Sequence, residues 1–154
     1  MKLQQDYASQ KSLMKDNTII EEAIRLVEEG HDVTLPAKGK SMLPFIVGGK
    51  ESILLVKPDK IRVGDVVLAW VDDYRYVVHR IISIKGDSIT LMGDGNLAGI
   101  EHCFFKDVKA KVTHVADSKG HYRNLYSKKR VIGAKCWLWL LPIRRYLLGI
   151  YRRL

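Results

Sequence analysis

Short strand-like segments separated by turn residues fill the middle of the chain, and they restrict its fold more than any other feature. Val, Ile, Leu and Tyr are frequent in these segments, and Gly, Pro and Asp recur between them. The segments are 31–36, 52–56, 66–71, 75–84, 88–92 and 108–115. Successive hairpins on short connections predict a mainly β fold, an antiparallel folded sheet or a partly closed barrel.

A helix is predicted before the first strand. Ile20, Ala23, Ile24 and Val27 recur at helical spacing, and Gly30 can end the helix. We expect an amphipathic helix of about three turns that packs on the sheet.

The length of 154 residues suits one domain with additions at its ends. Residues 1 to about 15 are polar without a clear period, which predicts a mobile tail. We therefore expect a tail and amphipathic helix over residues 1–30, a β-rich domain over 31–131 and a basic aromatic tail over 132–154. No charged segment followed by a long apolar run opens the chain, so neither a signal peptide nor an N-terminal membrane anchor is predicted.

The cysteine content gives no sign of a disulfide framework or a metal centre. Cys103 and Cys136 lie far apart, without a Cys-x-x-Cys motif and without histidines at zinc spacing. Reduced thiols in a cytoplasmic protein are expected, and no metal or cofactor site is predicted.

A serine on a restricted loop is the first candidate for chemistry. Ser41 lies two residues after Gly39, which can take a positive φ, and three residues before Pro44, which fixes its own φ. Gly39, Met42 and Pro44 would therefore support a stiff turn that holds the Ser41 hydroxyl. A serine hydroxyl is a weak nucleophile until a neighbouring base takes its proton, and His79 is the best candidate for that base.

His79 has a structural interpretation as well. Strand alternation places it on the same face as Val77 and Ile81, and a histidine among apolar neighbours is most often a core residue. The Gly-Asp-Gly-Asn sequence at 93–96 is also ordinary turn chemistry, although a turn can aim the carboxylate of Asp94 at a histidine.

Short sequences in a fixed order resemble a clan of serine peptidases. The Ser-Met-Leu-Pro sequence at 41–44 is similar to the nucleophile box of the signal peptidase I and LexA-like clan, and Gly-Asp-Val-Val at 64–67 is similar to its next box. His79, just before Arg80, stands where bacterial members usually have a lysine. It resembles the histidine-base variant of endoplasmic-reticulum and sporulation-type signal peptidases, whose Gly-Asp-x-Asn box is similar to residues 93–96.

The resemblance covers roughly residues 35–97 and implies a mechanism. Ser41 would attack a peptide carbonyl, His79 would take and return the proton, and Asp94 would orient the imidazole. A histidine base must be neutral to accept a proton, so activity should fall as the pH drops below about 6. The implied substrate is a leader or precursor peptide with small residues at the cleavage site.

The sequence departs from the clan pattern at two places. Gly39 stands where the family often has a serine that helps to bind the oxyanion, so backbone N–H groups, including that of Ser41, would take over this role. The second acidic residue of the histidine variant has its nearest counterpart at Glu101, which leaves Asp94 and Glu101 as alternative partners for His79.

Two other functions remain open. The first is a catalytically inactive module that binds a peptide or a membrane with the same fold. The second is a self-cleaving repressor, because LexA-like proteins cut an Ala-Gly or Cys-Gly bond upstream of the nucleophile. Residues 1–40 contain neither pair, and Ala98-Gly99 lies downstream, so we rank this function last.

The C-terminal tail is basic and aromatic. Its apolar run at 136–141 is much shorter than the roughly 20 residues needed to cross a bilayer. After Pro142, one helical face collects Ile143, Tyr146, Leu147, Ile150 and Leu154, and the arginines 144, 145, 152 and 153 lie elsewhere. Such a helix suits an anionic membrane surface, with the protein peripheral on the membrane, and equally suits docking on the body. The net charge of +9 also suits nucleic acid, but we do not expect that partner because no base-reading motif accompanies it.

Overall fold

The computed structural model describes residues 2–97 and 99–153. The helices are α1 (Lys2–Glu28), α2 (Lys128–Trp139) and α3 (Arg144–Arg153), with short 3₁₀ turns at Phe105–Asp107 and Leu141–Ile143. The strands are β1 (Val33–Pro36), β2 (Ser52–Val56), β3 (Val66–Val71), β4 (Arg75–Lys85), β5 (Ser88–Met92), β6 (Glu101–Phe104), β7 (Val108–Ala116) and β8 (Tyr122–Asn124).

The described strands form one antiparallel sheet that curls into a half-barrel. Its order is β1-β2-β7-β3-β4-β5-β6, and β8 pairs with β7. Register shifts at Leu54/Leu55, Leu68/Ala69 and Ile81/Ser83 interrupt the ladders. Such irregularities bend a strand and increase its twist, which favours a curled sheet over a flat one. The predicted fold class is therefore confirmed.

Strand β3 lies between two apolar clusters. Val66 and Leu68 belong to the cluster beneath α1, and Val67 and Ala69 belong to the cluster on the opposite face. This division follows from the period of 2 in a strand, which sends successive side chains to opposite faces. The strand bordered by β4 and β7 is therefore apolar throughout.

The N-terminal helix packs as predicted but is longer than predicted. Ala23, Ile24 and Val27 are buried against the sheet, and Gly30 follows the helix with a φ of +94°. The helix begins at Lys2, so it includes the residues for which the sequence predicted a mobile tail, and their mobility stays a prediction. Many of these residues are Lys, Gln, Ala, Leu and Met, which favour helix without forming an amphipathic pattern.

The part of the chain after β5 holds more regular structure than the sequence predicted. Helix α3 matches the predicted basic helix after Pro142, whereas α2 and the strands β6 and β8 were not predicted. Among the described residues, no helix combines the length and the apolar composition needed to cross a bilayer.

Candidate active site

Ser41 lies in the turn between β1 and β2. Gly39 has a φ of +76°, as its place in the loop predicted. The backbone N–H groups of Phe45 and Ile46 both donate to the carbonyl of Met42, at 3.0 Å each. Met42 is itself buried in the core, so the residue after the serine anchors the turn.

The Gly-Asp-Gly-Asn segment supports this turn through its backbone. The N–H of Gly95 donates to the carbonyl oxygen of Ser41 at 2.7 Å. A Cβ atom on Gly93 would overlap the Ser41 carbonyl oxygen, and one on Gly95 would overlap the carbonyl oxygen of Lys40. Both positions therefore require glycine, because any side chain would push the serine turn away.

Asp94 binds Arg80 and not His79. Its two carboxylate oxygens accept hydrogen bonds from Nε and Nη2 of Arg80 at 2.8 and 2.7 Å, and both residues are buried. Arg80 also donates from Nη1 to the carbonyl of Gly64 at 2.8 Å. The sequence-based choice of Asp94 as the partner of His79 does not match this geometry. Adjacent residues of a strand point to opposite faces, so a carboxylate bound to Arg80 is directed away from His79.

Glu101 is the carboxylate that contacts His79. Its Oε2 lies 2.8 Å from Nδ1 of His79, and both residues are buried. Arg75 reaches Oε1 of Glu101 at 3.3 Å and also pairs with Asp72, whose hydrogen bond raises the pKa of Arg75. Glu101 is therefore held between an imidazole and a permanent cation.

The site depends on strand pairing that the sequence did not reveal. Glu101 begins β6, which pairs with β5, and β5 pairs with the strand that carries His79. Strand β6 has only 4 residues, too few to show a clear alternation. The sequence marked Glu101 in one way only: it is the nearest counterpart of the second acidic residue in the histidine variant of the clan.

One cavity of about 490 Å³ joins the candidate residues. Ser41, His79 and Glu101 all line it, together with Arg75 and Asn96. Much of the remaining wall is apolar and includes Leu35, Ile53, Leu55, Leu68, Tyr76 and Val78. Within the described part of the chain, no hydrogen bond joins the side chains of Ser41 and His79.

Two backbone donors beside the serine are unused. Neither the N–H of Ser41 nor that of Met42 donates a hydrogen bond to any described residue. Such groups can stabilise an oxyanion when they point at the reacting carbonyl.

The C-terminal helices hold the same loop from the other side. Nε1 of Trp137 donates to the carbonyl of Asp94 at 2.6 Å, and Arg144 donates to the carbonyl of Asn96 at 3.0 Å. The Trp137 ring also meets Phe45 edge to face. Arg144 is completely buried, although the sequence placed it with three other arginines away from the apolar face, and this burial lowers its pKa. These contacts were not predicted, because nothing in the local sequence marks which arginine turns inward.

The sequence analysis also considered a metal site and an Ala-Gly pair. No group of three or more His, Cys, Asp or Glu side chains among the described residues is placed to hold a metal ion. The Ala98-Gly99 pair, which the sequence places downstream of the nucleophile, includes a residue outside the described ones.

A half-barrel that brings a loop serine, a buried histidine and a carboxylate to one cavity is a serine peptidase type of fold. Residues 3–107 match the family Peptidase S24-like, and the chain belongs to this family. The match confirms the resemblance to the LexA-like and signal peptidase clan, whereas the histidine-base signal peptidase branch stays a prediction. No curated protein matches the chain. Helices α2 and α3 lie beyond the matched residues.

Proposed function

We propose that the protein is a serine endopeptidase in which Ser41 is the nucleophile, His79 the general base and Glu101 the residue that orients the base. The contact of 2.8 Å between Nδ1 of His79 and Glu101, in the cavity that Ser41 also lines, carries this proposal. A carboxylate at Nδ1 holds the proton there and leaves Nε2 to accept the proton of the serine hydroxyl.

The proposed reaction has two halves. Ser41 Oγ attacks the substrate carbonyl while His79 takes its proton, and the N–H groups of Ser41 and Met42 bind the oxyanion. The imidazolium then protonates the leaving amine, and an acyl-enzyme remains. In the second half His79 takes a proton from water, the hydroxide displaces the Ser41 oxygen, and His79 returns that proton to Ser41.

The cavity supports an extended peptide as the substrate. Strand β1 lies at one end of the sheet order, so its outer backbone groups can pair with an added strand. Leu35 of β1 lines the cavity, which brings such a peptide next to Ser41. The apolar wall would take small or aliphatic side chains, in agreement with a leader or precursor peptide that is cut at small residues.

A serine-directed acylating probe tests the proposal without knowledge of the substrate. The wild-type protein should be labelled at Ser41, and His79→Ala and Glu101→Gln should label much more slowly. Ser88→Ala is a matched control, because Ser88 is exposed on β5 and does not line the cavity. Equal labelling of Ser41→Ala and wild-type protein would show that the probe reacts elsewhere and would remove the proposal.

A second candidate is a module of the same fold that binds a peptide or a membrane without cutting. The missing hydrogen bond between the side chains of Ser41 and His79 favours it. Peptide binding by a protein that never reacts with the probe would establish this candidate. The histidine-base signal peptidase branch is the finer form of the first proposal.

A further inference from the structure

We propose that the outer face of the C-terminal helices binds the surface of an anionic lipid bilayer. Trp139 is 84% exposed, the highest exposure among the large apolar side chains that the structure describes as exposed. Others on these helices and their connection are between 38% and 62% exposed. Tyr151, at 40%, lies three residues after buried Leu148, and we define the other five, Ile132, Leu141, Ile143, Tyr146 and Ile150, together with Trp139 as the outer apolar surface.

Helix α3 docks on the body through an unusual face. Arg144 and Leu148 are the buried residues, at 0% and 2% exposure, and they lie one turn apart. Ile143, Tyr146 and Ile150 share the face that an amphipathic helix normally buries, but here it points to solvent. A contiguous exposed apolar stripe of this kind marks a surface that another apolar phase covers.

The charge of this region selects the partner. Residues 118–154 contain 10 of the 26 Lys and Arg and none of the 17 Asp and Glu. The rest of the chain holds 16 basic residues against 17 acidic ones, so the excess positive charge lies in this C-terminal segment. The exposed basic residues of α2 and α3 are Lys128, Lys129, Lys135, Arg145, Arg152 and Arg153.

An anionic bilayer fits this combination better than other acidic partners. Nucleic acid would use the cations and the aromatic rings, but it offers nothing to aliphatic side chains such as Leu141, Ile143 and Ile150. A bilayer interface accepts aliphatic side chains below the headgroups, Trp and Tyr at the headgroup level, and Lys and Arg at the anionic surface.

The inner face of the helices allows the outer face to be covered without undocking. Arg144 and Trp137 hold the loop of Asp94 and Asn96 through backbone carbonyls, and neither belongs to the outer apolar surface. Lipid contact would therefore leave the site geometry intact. This inference does not depend on peptidase activity.

Co-sedimentation with vesicles tests the inference on the full chain. The wild-type protein should sediment with vesicles of phosphatidylcholine and phosphatidylglycerol, much less with phosphatidylcholine alone, and less as salt is added. The Ile143→Ser, Ile150→Ser double variant should lose most of this binding. Val63→Ser is a matched control, because Val63 is an equally exposed aliphatic residue on the body, and it should bind as the wild type does.

Charge variants give a second measurement. Arg152→Gln with Arg153→Gln should weaken binding by about fivefold for each arginine, whereas Lys57→Gln should have little effect. Each variant should fold, because all these side chains are exposed, and circular dichroism checks this. Absence of sedimentation, equal binding to neutral vesicles, or unchanged binding of the double variant would each overturn the inference. The inference would also be overturned if these variants bound vesicles normally but changed from dimer to monomer, because a second copy of the chain would then cover the surface. The same holds if they bound vesicles normally but lost binding to an oligonucleotide.

Discussion

Replacement of each candidate acid separates the role of Asp94 from that of Glu101. In Asp94→Asn the charge that faces Arg80 is lost, and both side chains of this pair are at most 4% exposed. Removal of one partner of a buried ion pair costs about 3–5 kcal/mol of unfolding free energy. We expect about 3 kcal/mol, because the asparagine oxygen can still accept one bond and Arg80 keeps its bond to Gly64. For a chain of this size, the midpoint of thermal unfolding should fall by about 6–12 °C.

Glu101→Gln should lose much of the acylation rate and little of the unfolding free energy. The amide no longer holds the proton of His79 on Nδ1, so the base presents the wrong nitrogen to the serine, and the rate of acylation should fall by at least about 100-fold. The loss of unfolding free energy should be smaller, about 1–2 kcal/mol, because Arg75 keeps its ion pair with Asp72.

The two variants are compared by thermal unfolding and by the rate of acylation, measured well below both unfolding midpoints. Folded Asp94→Asn protein should react within about fivefold of the wild-type rate, since its carboxylate does not contact His79. The reasoning is refuted if Asp94→Asn keeps the wild-type midpoint and loses activity as severely as Glu101→Gln does.

Further predictions concern the serine loop, Arg75 and the thiols. Gly95→Ala should reduce activity strongly by displacing the serine turn, whereas Gly99→Ala, whose Cβ would meet an atom only at 4.0 Å, should not. Arg75→Gln removes the cation beside the carboxylate that binds the imidazole. Glu101 then loses one of its two partners, so the rate of acylation should fall, but by less than in Glu101→Gln, because the contact between Glu101 and His79 remains. Burial raises the pKa of Cys103 from an ordinary 9.0 to about 11, so alkylation near pH 8 should label exposed Cys136 and spare Cys103. The stability that this thiol contributes is present below pH 9.0 and lost as the pH rises toward 11, which denaturation at both pH values can measure.

Local patterns were sufficient for the elements that bury one face against the core. The alternation of 66–71 and 75–84 predicted β3 and most of β4, and it placed His79 and Arg80 on opposite faces. The helical spacing of apolar residues also predicted the buried face of α1. These features are visible in the sequence because side-chain direction repeats with the period of the element.

Partnerships between distant residues depended on the folded chain. Asp94 and Glu101 both follow His79 within a short stretch, and their spacing alone did not distinguish the acid that binds the imidazole from the one that binds Arg80. The short strand β6 brings Glu101 to His79. The packing of α3 buries Arg144, and the apolar face of α3 points outward. Long-range pairing and packing select one partner among several of equal chemistry, because the free energy of each contact depends on its burial and geometry as well as on residue type.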